Sequence, residues 1–372
     1  MNKSFKIISL CFILSGATGL IYEVLWARML GLVFGATTLA VSTVLAAFMG
    51  GLALGSALAG KLATRIRKPL STYGWMEIGI AFYALLVPLL FRLVDHVYAL
   101  IWQQLHPGYF AFSVWRFVLS GLVLLVPTTL MGATLPVLAV ALVRSSANDS
   151  NSVTRLYACN LLGAILGTLV AGFVLLPLLG VRTTIAVAAV LNVFVGVVAI
   201  SLQRRTTSVT DAPRVDVEQP IITTESVRFW FFAALASGFV TISTQVSWTR
   251  ILTMIIGSST YAFSIVVALF LIGLAIGAWL VARKDRSQSL RFWILIVEVL
   301  TAISLVLSLY VLNKTPAMLI TFGLKFQVAS WLGLLLLQIF CATLLILVPA
   351  VLMGMVMPLV LVWAGSEQAK AV

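Results

Sequence analysis

One stretch of this chain occurs twice, at a constant spacing. Residues 15–55 align without a gap with residues 237–277, which lie 222 positions later, and 17 of the 41 aligned residues are identical. The same spacing recurs downstream, where residues 127–136 and 349–358 share the pattern Pro-x-x-Leu-Met-Gly-x-x-x-Pro. Two blocks in one register indicate a duplicated unit. Duplicated helix bundles are a common architecture of membrane transporters, so the repeat constrains both fold and function.

The composition indicates a membrane protein. Hydrophobic residues make up 62% of the chain and charged residues only 9%, whereas a soluble domain carries about 25% charged residues. The lipid bilayer is therefore the expected partner. The net charge of +13 does not predict a nucleic-acid partner, because the basic residues concentrate in short loops between apolar stretches, as orientation signals do.

Ten apolar stretches approach or exceed the roughly 20 residues that a transmembrane helix needs. They are residues 5–26, 37–60, 72–93, 117–143, 156–178, 181–202, 229–249, 260–282, 292–312 and 329–364. We therefore predict an all-α integral membrane protein of about ten transmembrane helices in two repeats, six plus four. The predicted domains are a first repeat over 1–202, a cytoplasmic linker over 203–227 and a second repeat over 228–372.

Lysine and arginine predict the orientation. With a cytoplasmic N-terminus, 17 of the 24 basic residues fall in cytoplasmic loops and 7 on the other side, as the positive-inside rule requires. An even number of spans in the first repeat makes both repeats enter the membrane in the same direction. The sequence thus predicts parallel, major-facilitator-like repeats with both termini cytoplasmic.

Glycines and prolines recur at matched positions in the two repeats. Glycines four residues apart let helices approach closely, and they are Gly51, Gly55, Gly163, Gly167, Gly273 and Gly277. Prolines inside the fourth span of each repeat are predicted to kink or break those helices, and they are Pro127, Pro136, Pro349 and Pro358.

Acidic residues within membrane spans are costly and suggest function. Glu23 has Gln245 at the matching position of the second repeat, and Glu77 and Glu298 lie in matching third spans. Such carboxylates suit a cationic ligand, and nearby aromatic rings add cation–π attraction. The candidate substrate-binding residues are Tyr22, Glu23, Trp26, Arg28, Glu77, Gln245, Trp248, Arg250 and Glu298.

Structural alternatives exist for each of these residues. The Trp–Arg pairs could be interfacial anchors, with an aromatic ring in the headgroup layer and a snorkelling base. Glu23 could pair with Arg28. Glu77 and Glu298 could be buried polar ties between helices. No nucleophile–base pair, phosphate-binding loop or metal-ligand spacing occurs in the sequence, so no catalytic or metal site and no cofactor are predicted for this chain.

Three motifs in combination resemble the membrane region of the bacterial fused major-facilitator-like/spermidine synthase family. They are Ser15-Gly16-x-x-Gly19-Leu20-x-Tyr22-Glu23-x-x-Trp26-x-Arg28, Gly51-Leu52-Ala53-Leu54-Gly55 and Arg155-Leu156-Tyr157-Ala158-x-Asn160-x-x-Gly163-Ala164-Ile165-x-Gly167. The resemblance implies a location in the bacterial inner membrane. It also implies a cytoplasmic aminopropyltransferase domain after the membrane region, in the same chain or in a partner. No catalytic residue of that domain can be assigned in these 372 residues, which leaves enzyme activity open.

The expected function is that of the membrane module of a spermidine-synthase-like protein. This module would bind or transport a small cationic polyamine, or would tether the enzyme that acts on the polyamine to the membrane. The alternatives are a major-facilitator-like transporter of another solute and a non-transporting anchor or assembly domain. The counterpart of Arg155 would lie beyond Val372. We therefore expect the second repeat to lack its last two helices. We also expect that a longer gene product or a partner supplies them.

Overall fold

The structure, a computed structural model, consists of helices and short connections in the residues it describes, with no strand among them. Those residues are 3–34, 38–105, 108–145, 151–206, 224–256, 260–282, 290–327 and 330–370. Their helices are α1 (Lys3–Phe34), α2 (Thr38–Leu62), α3 (Pro69–Leu105), α4 (Tyr109–Ser145), α5 (Asn151–Val170), α6 (Leu176–Thr206), α7 (Thr224–Ile256), α8 (Thr260–Ala282), α9 (Leu290–Lys325) and α10 (Trp331–Lys370). Helices satisfy their backbone hydrogen bonds internally, which lipid-exposed segments require.

Nine stretches of the described helices are long and apolar enough to cross a membrane. One of them, Arg155–Arg204, has 50 residues and would be about 75 Å long at 1.5 Å per residue, more than twice a hydrocarbon core of about 30 Å. Gly180 divides it, because its φ of 72° and ψ of 178° are not helical. A positive φ of this kind is readily adopted only by glycine. The all-α, multi-pass membrane fold predicted from composition is confirmed at this level.

Two compact units make up the chain, Met1–Pro213 and Arg214–Val372. The first contains α1 to α6 and the second contains α7 to α10. Helices α7, α8 and α10 begin within two residues of the positions that the 222-residue spacing assigns to α1, α2 and α4, and α9 begins 221 residues after α3. The duplication in sequence is therefore also a duplication of helix boundaries.

Within the first unit, α2 packs on α4, α1 on α5, and α3 on both α4 and α6. The α2–α4 contact is close enough that a side chain on Gly51 would collide with Thr128, and one on Gly55 would collide with the backbone at Thr129. Gly132 faces the backbone of Leu52 in the same way. Such contacts bring two helix backbones together, which is how helices associate where lipid removes the hydrophobic driving force.

The second unit repeats this contact between α8 and α10. Gly273 faces Ala350, and Gly277 faces the backbone of Val351, which are the residues 222 positions after Thr128 and Thr129. Gly354 faces Leu274, the counterpart of Leu52. The four-residue glycine spacing thus serves the same helix contact in each unit.

The prolines do not break their helices. Helix α4 continues through Pro127 and Pro136, and α10 continues through Pro349 and Pro358, so a break is wrong, whereas a kink at these prolines stays a prediction. In α4 the Thr128 hydroxyl donates to the Leu124 carbonyl at 2.7 Å. Threonine side chains of this kind bond the carbonyls of the preceding turn, which lets a membrane helix tolerate proline.

Candidate functional site

The Glu77 carboxylate joins three helices of the first unit. Glu77 is 0% exposed on α3. Its Oε1 accepts a hydrogen bond of 2.5 Å from the Ser15 hydroxyl on α1, and its Oε2 accepts one of 2.9 Å from the Asn192 side-chain amide on α6. The Tyr73 hydroxyl lies near the same carboxylate, although outside hydrogen-bonding geometry.

Hydrogen bonds therefore occupy both oxygens of Glu77. Each oxygen of this carboxylate thus already has a donor within the protein, as is normal for buried polar groups. Of the two alternatives left open by the sequence, the geometry favours the buried polar tie between helices. Asn192 and Ser15 were not among the sequence-based candidates. A polar amide in the middle of an apolar span was the signal for Asn192, and the repeated Ser-Gly pair was the signal for Ser15 and Ser237.

Glu298 is the corresponding residue of the second unit, on α9. Ser237, the counterpart of Ser15, lies beside its carboxylate on α7. The side chain is only half-buried, and its Oε1 is buried without a hydrogen-bond partner among the described residues. The serine–glutamate pair is thus repeated, whereas the amide that completes it in the first unit has no described equivalent here.

Glu23 presents a different environment, in the C-terminal half of α1. The residue is 2% exposed, and Tyr22 and Trp26 beside it are buried completely. Three buried polar atoms within this single turn have no hydrogen-bond partner in the described part of the chain: Oη of Tyr22, Oε1 of Glu23 and Nε1 of Trp26. Buried polar groups are normally paired, so a cluster of unpaired ones calls for an explanation.

Arg28 does not provide that partner. Its side chain is exposed, and the Glu23 Oε1 atom lacks any hydrogen-bond donor from the described residues. The alternative in which Glu23 pairs with Arg28 stays a prediction, because this finding concerns only one of the two carboxylate oxygens. At the matching position of the second unit, Gln245 replaces the carboxylate with a neutral amide and is also buried, while Arg250 is half-buried.

The two tryptophans pack inside the protein. Trp26 stacks on Tyr22, with ring centroids 5.3 Å apart and planes 10° apart, and also contacts Phe48 of α2 at 6.3 Å. Trp248 contacts Phe270 of α8 at the same 6.3 Å. Both residues are buried, so the alternative of interfacial anchors is wrong for the tryptophans.

The candidate site residues therefore lie in four separate places. Tyr22, Glu23 and Trp26 form one group on α1, whereas Glu77 belongs to the Ser15–Asn192 cluster. In the second unit, Trp248 lies on the aromatic contact with α8, and Glu298 lies beside Ser237.

Comparison with known proteins supplies no assignment: the chain matches no protein-family model and no curated protein. The buried polar groups described above therefore carry the functional proposal.

Proposed function

We propose that this protein is a multi-pass protein of the bacterial inner membrane that binds a small organic cation, of the polyamine class, at Glu23. Its two units would form parallel, major-facilitator-like repeats with both termini in the cytoplasm. The observation that carries the binding proposal is the buried Oε1 atom of Glu23, which has no hydrogen-bond donor among the described residues.

The chemistry of this atom favours an amine. An ionised carboxylate inside a membrane protein is costly unless it is paired, and an alkylammonium group supplies both an opposite charge and several N–H donors. The stacked rings of Tyr22 and Trp26 next to it offer π-faces that attract cations. A polyamine also has methylene segments, which an aromatic wall can cover.

Glu77 supports the choice of Glu23 by contrast. Ser15 and Asn192 already bond both of its oxygens, so a ligand amine would have to displace a protein donor there. At Glu23, binding would add a hydrogen bond without breaking one in the described structure. We therefore expect the Glu77 carboxylate to stabilise the fold and the Glu23 carboxylate to be available for a ligand.

Binding a polyamine in the membrane fits the expected association with an aminopropyltransferase, which acts on such amines. The module would hold the amine at the membrane, transport it, or tether that enzyme near it. A transporter of another solute would select a different cation at the same carboxylate. A pure anchor would bind no amine.

Equilibrium binding of radiolabelled spermidine to the purified protein in lipid nanodiscs tests the proposal. We expect saturable binding that falls at least tenfold in affinity in Glu23→Gln, which removes the charge but keeps the shape. The variant should fold, since the second unit carries glutamine at this position. Glu298→Gln is the matched control and should bind as the unaltered chain does. Saturable binding that survives Glu23→Gln would move the site elsewhere, and no saturable binding would favour the anchor.

A further inference from the structure

We infer that one face of the second unit is a docking surface for a pair of transmembrane helices chemically similar to α5 and α6. This surface, the open face, is defined by Leu235, Gly238 and Phe239 on α7 and by Leu295 and Glu298 on α9. Each of these residues corresponds to a residue of the first unit that contacts α5 or α6.

In the first unit, α5 covers the corresponding face of α1 at close range. Three residues on α1 contact three on α5. On α1, a side chain on Gly16 would collide with Asn160 of α5. On α5, Gly163 lies against the backbone of Ile13, and Gly167 lies against the backbone of Ala17. The counterparts of Ile13, Gly16 and Ala17 are Leu235, Gly238 and Phe239.

Helix α6 covers the corresponding part of α3. Gly74 and Gly196 face each other's backbones across this contact, and the Asn192 amide donates to Glu77. In the second unit, Leu295 and Glu298 occupy the positions of Gly74 and Glu77.

The open face lacks such a cover among the described residues. Phe239 is 72% exposed, Leu235 is 57% exposed and Leu295 is 55% exposed. A Cβ added at Gly238 would meet no described atom of another helix within 4 Å. Glu298 is half-buried, and its Oε1 atom has no hydrogen-bond partner in the part of the chain that the structure describes.

Glu298 determines which occupant is suitable. A lipid chain offers no hydrogen-bond donor to a buried carboxylate oxygen, so lipid alone would leave Oε1 unsatisfied. A second copy of the chain already uses its α5 and α6 within its own first unit. The suitable partner is a transmembrane helix pair with small residues at four-residue spacing on one helix. Its other helix carries an amide donor, such as asparagine, at the depth of Glu298.

The helix pair of residues 151–206 serves as the probe for this surface. It is co-expressed with the full chain; Cys11, Cys159 and Cys341 are replaced by alanine in the chain, and Cys159 is replaced by alanine in the probe. The probe carries Asn160→Cys and the full chain carries Gly238→Cys, which would be neighbours if the first unit's contact is reproduced. We expect oxidation to give a disulfide between probe and chain, several-fold more than with a Phe232→Cys chain. Phe232 is the matched control because its counterpart in the first unit, Leu10, is exposed although α5 and α6 are present there. A docked helix pair should therefore leave Phe232 exposed too.

A second form of the test joins the probe to the C-terminus of the full chain through a flexible linker. We expect a thermal midpoint several degrees above that of the chain alone, and loss of the increase when the probe's Asn192 is replaced by leucine. The inference is overturned if both forms fail, if Phe232→Cys cross-links equally, or if the leucine replacement has no effect. It is also overturned if Gly238→Cys forms mainly disulfide-linked homodimers, since a second copy would then cover the face.

Discussion

The two units use the same helices and the same glycine contacts, yet they differ in how their α1-type and α3-type helices are covered. In the first unit, α5 and α6 bury Gly16 and supply the amide that completes Glu77. In the second, a Cβ added at Gly238 would meet no described atom of another helix within 4 Å, and the Glu298 Oε1 atom has no partner among the described residues. A matched residue in a repeat therefore need not have a matched role, because the role depends on the neighbour that the residue meets.

The largest expected contrast is at the glycines on the α1-type helices. In Gly16→Leu the new side chain would collide with the backbone of Asn160, and overpacking of this kind costs about 3 kcal/mol. Gly238→Leu should cost almost nothing in the purified chain, since an added Cβ there meets no described atom of another helix within 4 Å. Thermal denaturation in detergent, followed by tryptophan fluorescence, measures both. Equal losses in the two variants would show that α7 is covered in the purified chain.

A symmetric effect is expected at the glycines that both units share. Gly55→Ala and Gly277→Ala each place a methyl group against the backbone of the facing helix, so α2 must move from α4, and α8 from α10. We expect about 1–2 kcal/mol of destabilisation in each case. Reversible unfolding in detergent mixtures gives both free energies. A loss confined to one variant would break the equivalence of the two units.

The paired glutamates should respond differently to truncation. Glu77→Ala removes two hydrogen bonds and leaves Ser15 and Asn192 without their acceptor. Hydrogen bonds between membrane helices contribute about 0.6 kcal/mol on average and up to about 1.7, so we expect a loss of roughly 1–3 kcal/mol. Glu298→Ala removes an incompletely paired carboxylate and should change stability by less. The same unfolding titration compares them, and a larger loss at Glu298 would contradict the assignment of Glu77 as the tie.

The smallest effect is expected for the coupling between each buried tryptophan and the phenylalanine of the next helix. Trp26→Leu and Trp248→Leu each remove a ring that packs 6.3 Å from that phenylalanine, and each variant also loses buried area and leaves a cavity. Aromatic pairs contribute about 0.5–1.5 kcal/mol beyond area burial, so double-mutant cycles with the phenylalanines should give similar, small coupling energies in both units. Trp26→Leu should also weaken spermidine binding, whereas Trp248→Leu should leave it unchanged. The same binding assay in nanodiscs separates the two.

The sequence predicted much of the fold because apolar length and repeat spacing are local signals. The ten predicted stretches fall on the ten helices, and the boundary between the fifth and sixth stretches, 178 and 181, brackets the non-helical Gly180. The prolines misled the prediction because their effect depends on whether neighbouring side chains can bond the backbone groups they leave free. In α4 the Thr128 hydroxyl bonds the Leu124 carbonyl, which is next to the Val123 carbonyl that loses its usual N–H donor at Pro127, and such a contact is visible only once the helix is built.

The candidate site was less predictable, since pairing depends on distant residues. Glu23 and Glu77 look alike in sequence as acids inside spans, but Asn192 lies 115 residues from Glu77 and still satisfies it. The single sequence contained no sign of that contact. Likewise, the sequence did not predict that the Glu23 Oε1 atom would lack a hydrogen-bond donor among the described residues, although Arg28 lies only five residues away.

Photo-crosslinking with an azide-bearing polyamine tests the central claim that Glu23 is the cation site. The purified protein in nanodiscs is irradiated with the probe, digested and mapped by mass spectrometry, with unlabelled spermidine as competitor. We predict competable adducts on the α1 turn that contains Tyr22, Glu23 and Trp26, and their loss in Glu23→Gln. Competable adducts at Glu77 or Glu298 instead, or labelling of α1 that persists in Glu23→Gln, would contradict it.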